Sequence, residues 1–284
     1  MNLTIKSFIL AGTLCVTAAG MTTQAADLET VKKNGVLRVA VANEIPYGYM
    51  DLDGQARGAG PDVAKQIAKA LGIEKIEWVT TNFGSLIPGL QADRFDMVAA
   101  EMAVLPQRCQ QIIYSEPNSS YGEGLLVPTG NPKNIHDFES FATSGLKVAI
   151  MAGADQLEML QAMNVPEAQI VTLASNSDAI STVSTGRADA YAATSLTVGG
   201  LATKSDKVQA AEDFVDPVVD GEVVRSWGAF AFSKNSESLR DAVNEVLIDF
   251  KKTPAWKEIL TGYGFSDEDV SESFERTTAQ LCEQ

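Results

Sequence analysis

Arg108 is the side chain best equipped for recognition in this sequence. It sits in the stretch Arg94–Pro117, RFDMVAAEMAVLPQRCQQIIYSEP, after an apolar run, Met97–Ala100, that is short enough for a buried strand, and after the break at Leu105-Pro106. A strand feeding a Pro-initiated turn of helix brings side chains and free backbone N–H groups to one edge of a sheet. That edge is where open α/β sheets bind ligands. A guanidinium placed there presents a planar fork that matches both oxygens of a carboxylate. An ordinary surface Arg is the competing reading.

Catalytic chemistry has few candidate groups. The single histidine, His136, stands beside the breaker residues Gly130-Asn131-Pro132 and reads as a solvated loop residue. No Cys/His cluster has metal-ligand spacing, and there is no GxGxxG, no P-loop and no Ser-centred nucleophile motif. No cofactor or metal is expected.

The elements that must position Arg108 alternate in type. Val36–Ala42 reads as a strand, residues 43–59 as a loop, Pro61–Leu71 as a helix with Val63, Ile67 and Leu71 on one face, and Ile76–Thr81 as a second strand. Ser85 is placed to cap a helix running through Gln91, and Asp96–Met102 is the third strand. This βαβαβ run predicts a parallel, doubly wound sheet. After the breaker cluster 129–132 a second alternating unit follows: helix 137–144, strand Lys147–Met151, helix 154–163, strand Gln169–Leu173, helix 177–186 and strand Ala190–Thr194. Val223–Phe232 reads as an extended apolar strand, and helices over Ser236–Lys252 and Pro254–Leu260 close the chain. One α/β unit inserted in another predicts two lobes joined by two crossing strands: residues 27–127 with 221–284, and the insert 128–220. Ligand would bind in the cleft between them, which would close by a hinge motion.

Residues 1–26 contain one charge, Lys6, then an apolar core from Phe8 to about Met21, then Thr23-Gln24-Ala25-Ala26. This is the pattern of a secretory signal, too short in its apolar part to span a bilayer, with cleavage expected after Ala25 or Ala26. Leu14 precedes Cys15, so the small residue that a lipoprotein signal needs is missing. The chain carries 22 Lys plus Arg against 37 Asp plus Glu, a net charge of −15, and loss of Lys6 makes it −16. Such a surface disfavours nucleic acid and anionic membrane as partners, although acidity can also serve solubility alone. Cys109 and Cys282 survive processing; they read either as one bridge in an oxidising compartment or as two buried thiols.

The element order, the strand-then-PxR turn ending in YSEP, the segment GSLIPGLQADRFD and the segment GRADAYAATS resemble an extracytoplasmic solute-binding protein of the polar amino-acid ABC importer family. ANEIPYGYMD, NFGSLIPGL, GNPKNIHDF and GRADAYAATSLTVGGLA are most similar to the ectoine- and hydroxyectoine-binding proteins within it. The resemblance implies the two-lobed type II periplasmic-binding-protein fold and a periplasmic location. It further implies a small-molecule ligand, an ABC permease and ATPase as partners, and a monomeric, non-enzymatic protein.

On that resemblance Arg108 takes the ligand carboxylate, while Glu44, Tyr47 and Phe83 surround a delocalised cation. A well-placed ring contributes about 0.5–2 kcal/mol to such a contact. Packing residues at strand ends are the alternative for the two rings. Leu105 replaces the Ser or Thr usual three residues before the Arg, Ala103 replaces a third aromatic, and Glu101 replaces a small residue. Asp155 and Gln156 replace a neutral helix start, where Asp155 could equally cap the helix. Thr194 stands where amino-acid binders carry an Asp for the α-ammonium. If Glu44, Glu101 and Asp155 all face the cleft, they outnumber Arg108 and favour a ligand more cationic than ectoine. Trp227 reads as a core residue more readily than a cleft residue. Two other readings stay open: a polar or basic amino-acid binder, and an enzyme like the periplasmic cyclohexadienyl dehydratases, with Arg108 and Glu101 in the cleft.

Overall fold

Met97–Ala103 is buried at every position, as a strand covered on both faces must be. In the computed structural model, which describes residues 27–219 and 221–283, the first sheet is laid around this strand. The expected leader and its cleavage site lie outside the described residues. The sheet runs in the order Lys75–Thr80, Val36–Val41, Met97–Ala103, Ser226–Phe232, Ile113–Tyr114, with Ser119–Tyr121 also paired to Ser226–Phe232. One face is covered by helices Ala59–Ala70 and Glu237–Phe250, which deliver Val63, Ile67, Leu239, Val243 and Leu247 to a common core. The other face buries Leu86, Leu90, Phe95, Val98 and Met102.

The second sheet runs Ile170–Leu173, Val148–Met151, Ala190–Thr194, Glu123–Pro128, Val208–Ala210. In both sheets the three strands linked by helices are parallel, as the alternating pattern predicts. The sheets are nevertheless mixed. Glu123–Pro128 and Ser226–Phe232 each arrive from the other unit without a crossover helix, and each pairs antiparallel with its neighbours.

Only Gly122 separates Tyr121, in the first sheet, from Glu123, in the second. On the return, Val224 still packs on the second unit while Ser226 already pairs with Tyr121 in the first. The two crossings therefore lie side by side. The apolar strand expected from Val223 starts at Ser226, because Glu222–Val223 folds back on Val218–Val219 as a hairpin.

Other departures are local. The expected loop 43–59 contains a small hairpin, Tyr49–Met50 with Ala56–Arg57. Ser85 makes no capping bond; Phe83–Ser85 forms a 3-10 turn and the helix proper is Leu86–Gln91. Helix Ser195–Ala202 went unread because Gly199-Gly200 weakens its signal, and Asp267–Glu272 and Thr278–Cys282 are too short to show a period. Cys109 and Cys282 are joined as a disulfide with Cα atoms 5.7 Å apart, which ties the last helix to the turn that carries Arg108. Among the described residues no helix is long and apolar enough to cross a membrane.

Candidate functional site

Between the two sheets the chain encloses a narrow cavity. Its first wall is a tight loop in which Glu44 and Gly48 exchange both backbone hydrogen bonds, at 2.9 and 2.8 Å. Glu44 and Tyr47 reach the cavity from this loop, and each bonds across it. Glu44 Oε1 accepts from Asn176 Nδ2 at 3.0 Å and from the Thr197 hydroxyl at 3.3 Å. The Tyr47 hydroxyl donates to Thr194 Oγ1 at 2.7 Å, while its ring packs on Tyr121 and on the edge of Phe265. Burial pushes the Glu44 carboxyl up to about 7, against the pull of Asn176, Thr197 and Arg108.

Phe83 lines the cavity beside this loop, and the Arg108 guanidinium lies 5.7 Å from its ring centroid. Two nitrogens of Arg108 are already engaged, donating to Ala103 O and Gly153 O, both at 2.9 Å. Ala103 ends the central strand of the first sheet and Gly153 lies in the second unit. In this closed form Arg108 clamps one unit to the other, next to the cavity lining rather than within it. Backbone meets backbone at the same place. A Cβ added at Gly153, which has φ 80°, would lie 2.8 Å from Gly84 Cα, and one added at Gly84 would lie 3.1 Å from Ala152 O.

Glu101 is also in the lining, but its carboxylate belongs to the first unit. Oε1 accepts from Asn118 Nδ2 at 2.7 Å and Oε2 accepts from the Ser119 hydroxyl. Asn118 in turn accepts from Trp256 Nε1 at 2.9 Å. Burial raises Glu101 to about 6. Lys251, which opposes that rise, is lowered by burial to about 8 while Nζ donates to Pro117 O at 2.7 Å and Ser273 O at 2.8 Å. The acid that was expected to add to the ligand-facing charge is thus tied into the packing beneath the cavity.

The second wall holds Asp155, Gln156 and Thr194. Asp155 precedes helix Gln156–Ala162 without capping it; Oδ2 accepts instead from the Ser226 hydroxyl at 2.8 Å, on the return crossing. Gln156 Nε2 donates to Glu123 Oε2 at 2.6 Å. Thr194 caps helix Ser195–Ala202 by accepting from Thr197 N at 3.3 Å, and so offers its hydroxyl to Tyr47 from a fixed position.

Three contributors escaped the sequence reading. Tyr121 and Tyr191 both line the cavity and add their rings to its wall. Tyr191 donates to Asn176 Oδ1 and so orients the amide that reaches Glu44. Glu123 is buried at the start of the second sheet, and burial followed by the nearby Asp155 charge raises its carboxyl well above the ordinary range. The one available signal was position, since Tyr121 and Glu123 flank a glycine just before the apolar run Leu125–Val127. Trp227 lies away from the cavity, with Nε1 donating to Glu272 O at 2.9 Å. His136 is half-buried, its ring nitrogens against Glu212 O and Asn134 Oδ1. Among the described residues no cluster of His, Cys, Asp and Glu is arranged to hold a metal ion.

Chemically, this is a small, aromatic-walled chamber with a surplus of carboxylates. Glu44, Glu123 and Asp155 face or back it, against the single guanidinium of Arg108. Buried carboxylates in such a ratio require protons or an incoming cation.

Residues 37–266 match the family model described as bacterial extracellular solute-binding proteins, family 3. Over 287 aligned residues, 98% of this chain and 95% of the relative, the sequence is 52% identical to a probable amino-acid ABC transporter periplasmic-binding protein, y4tE, of Sinorhizobium fredii. It is 27% identical to the L-cystine-binding protein TcyJ of Escherichia coli, over 79% of this chain and 81% of that one. Among solved structures, EhuB in complex with hydroxyectoine superposes with a TM-score of 0.81 at 29% identity, covering 90% of this chain and 97% of that one. An ancestral amino acid-binding protein, AncCDT-1, described as a precursor of cyclohexadienyl dehydratase, gives 0.72 at 30% identity over 83% and 98%.

Proposed function

Because the chain belongs to the bacterial extracellular solute-binding proteins of family 3, we propose that its cleft captures a small cationic or zwitterionic solute by closing over it. The ligand class is an ectoine- or hydroxyectoine-like compatible solute, or a polar or basic amino acid. The observation that carries this reading is that the side chains lining the cavity are the ones that join the two units. Tyr47 bonds Thr194, and Glu44 bonds Asn176 and Thr197. A ligand held by these groups changes the balance between open and closed forms, which is the requirement for signalling occupancy.

In this reading the lobes meet at Gly122 and at residues 224–226, a few residues from the boundaries expected at 127–128 and 220–221. Glu44 and Asp155 supply the negative field for the cationic end, and Tyr47, Phe83, Tyr121 and Tyr191 its aromatic walls. Arg108 exchanges a backbone carbonyl for the ligand carboxylate. Gln156 and Thr194 contact the ligand from the second lobe, and Glu101 supports the floor. The protein acts as a monomer in the periplasm after removal of its leader, and it delivers solute to an ABC permease and ATPase. The similarity to the hydroxyectoine complex supports the compatible-solute class, and the amino-acid-binding relatives support the alternative.

The test is a calorimetric titration of refolded, ligand-stripped protein with ectoine, hydroxyectoine and L-arginine. Saturable heat at micromolar or tighter affinity with one of them is expected. Absence of heat and of thermal stabilisation with all three would overturn the reading. The likeness to AncCDT-1 gives the enzymatic alternative its own assay: loss of prephenate with formation of phenylpyruvate, followed by ultraviolet absorbance, would replace capture by catalysis.

A further inference from the structure

Glu123 is the buried ionisable group nearest the cavity that the binding reading leaves without a task. It opens strand Glu123–Pro128, directly after the crossing at Gly122, and pairs in the ladder with Thr194. It is 3% exposed, and its Oε1 is buried with no hydrogen-bond partner among the described residues. Its Oε2 accepts from Gln156 Nε2 at 2.6 Å, and Gln156 lines the cavity.

A carboxylate only accepts hydrogen bonds, so it dictates which end of a neighbouring amide faces it. Turning the Gln156 amide over would set its carbonyl oxygen against a buried carboxylate oxygen, two acceptors with no proton between them. Among the described residues no side chain or backbone N–H donates to Gln156 Oε1. Both partners lie in the second unit, so their arrangement is present before the cleft closes. Resting on the reading of the cleft as a solute site, we infer that Glu123 is a positioning residue: it holds the Gln156 amide with its carbonyl oxygen toward the cavity, and thereby selects a ligand that presents an N–H donor to the second wall.

The groups around Glu123 are acidic apart from Gln156. Asp155 at the helix start, Asp216 from the segment before the hairpin and Glu44 from the first-sheet loop all act on it as acids, and Gln156 is the neutral donor. Protonation would remove the charge that fixes the amide and would supply an O–H donor, so the arrangement belongs to the ionised carboxylate and is lost as pH falls through the raised pKa of Glu123.

The experiment has two readouts on the whole secreted chain. In ligand-free, 15N-labelled protein the side-chain NH2 signals of Gln156 are assigned by their loss in Gln156→Glu. They should shift with pH in a single step above the ordinary carboxylate range, and Glu123→Gln should abolish that step. Signals that ignore pH and are unchanged in Glu123→Gln would overturn the inference. The second readout is affinity for hydroxyectoine and L-arginine. For whichever probe the wild type binds, Glu123→Gln should bind about tenfold more weakly, the size expected for a charge-assisted hydrogen bond. Equal affinity would overturn the selection role. Failure of the wild type to bind either probe would count against the solute assignment, while the amide signals would still decide the role of Glu123.

Discussion

The hydroxyl of Tyr47 donates to Thr194 Oγ1 at 2.7 Å, joining a loop of the first sheet to the end of a strand of the second. Both residues are buried, and the Tyr47 ring is held independently by Tyr121 and Phe265. Tyr47→Phe should therefore remove a bond of the closed form alone. Ligand affinity should fall by about 0.5–1.5 kcal/mol, roughly two- to tenfold, with little change in the Tm of the ligand-free protein. Unchanged affinity measured by calorimetry would mean that the bond does not contribute to closure around ligand.

Gly84 offers a steric test of the same closure. A Cβ there would approach Ala152 O to 3.1 Å across the cleft, while its own backbone φ places no demand for glycine. Gly84→Ala should weaken binding by about 1 kcal/mol, roughly fivefold, because the closed form alone must adjust. Retention of wild-type affinity would show that the units meet less closely when ligand is bound.

Protonation of Glu44 should favour closure. Its pKa is about 7 when buried in the closed cleft, against the ordinary 4.5, and opening returns it to water. Between those values the closed form binds more protons than the open one, so closure of the ligand-free protein weakens as pH rises through about 7. Small-angle scattering should give a smaller radius of gyration at acidic than at alkaline pH, and Glu44→Gln should remove the difference. A pH-independent wild-type radius would contradict this.

The Cys109–Cys282 bridge spans 173 residues and anchors the turn that holds Arg108. Replacing both cysteines by Ser should cost about 2–4 kcal/mol, a fall in Tm of roughly 5–15 °C. Ligand affinity should fall as well, because the Arg108 turn loses its tie to the last helix. A Tm equal to that of the wild type would refute the stabilising role.

Much of the cavity was readable from residue types at strand ends. Glu44, Tyr47, Phe83, Glu101, Asp155, Gln156 and Thr194 all come to its lining; Glu101 lies within a strand and the others at or after the end of one whose apolar run marks the sheet. Arg108 was legible from the Pro-initiated turn, yet its present partners were not, since Ala103 O and Gly153 O are backbone groups that any residue carries. Glu101 shows the same limit from the other side. Its residue type suggested a ligand-facing charge, but a left-handed backbone, φ 48°, turns the carboxylate toward Asn118 and Ser119.

By itself the sequence determined the alternation of strands and helices, the two nested units and the stretches that end at the cleft. Periodicity and breaker residues are local, and a single chain records them directly. Only the tertiary structure decided that Gly122 separates the sheets, that Tyr121 and Tyr191 complete the aromatic wall, and that Glu101 is engaged below the cavity. Those outcomes depend on which groups from distant segments meet once water is excluded, where each buried oxygen must find its donor, and no local pattern encodes that pairing.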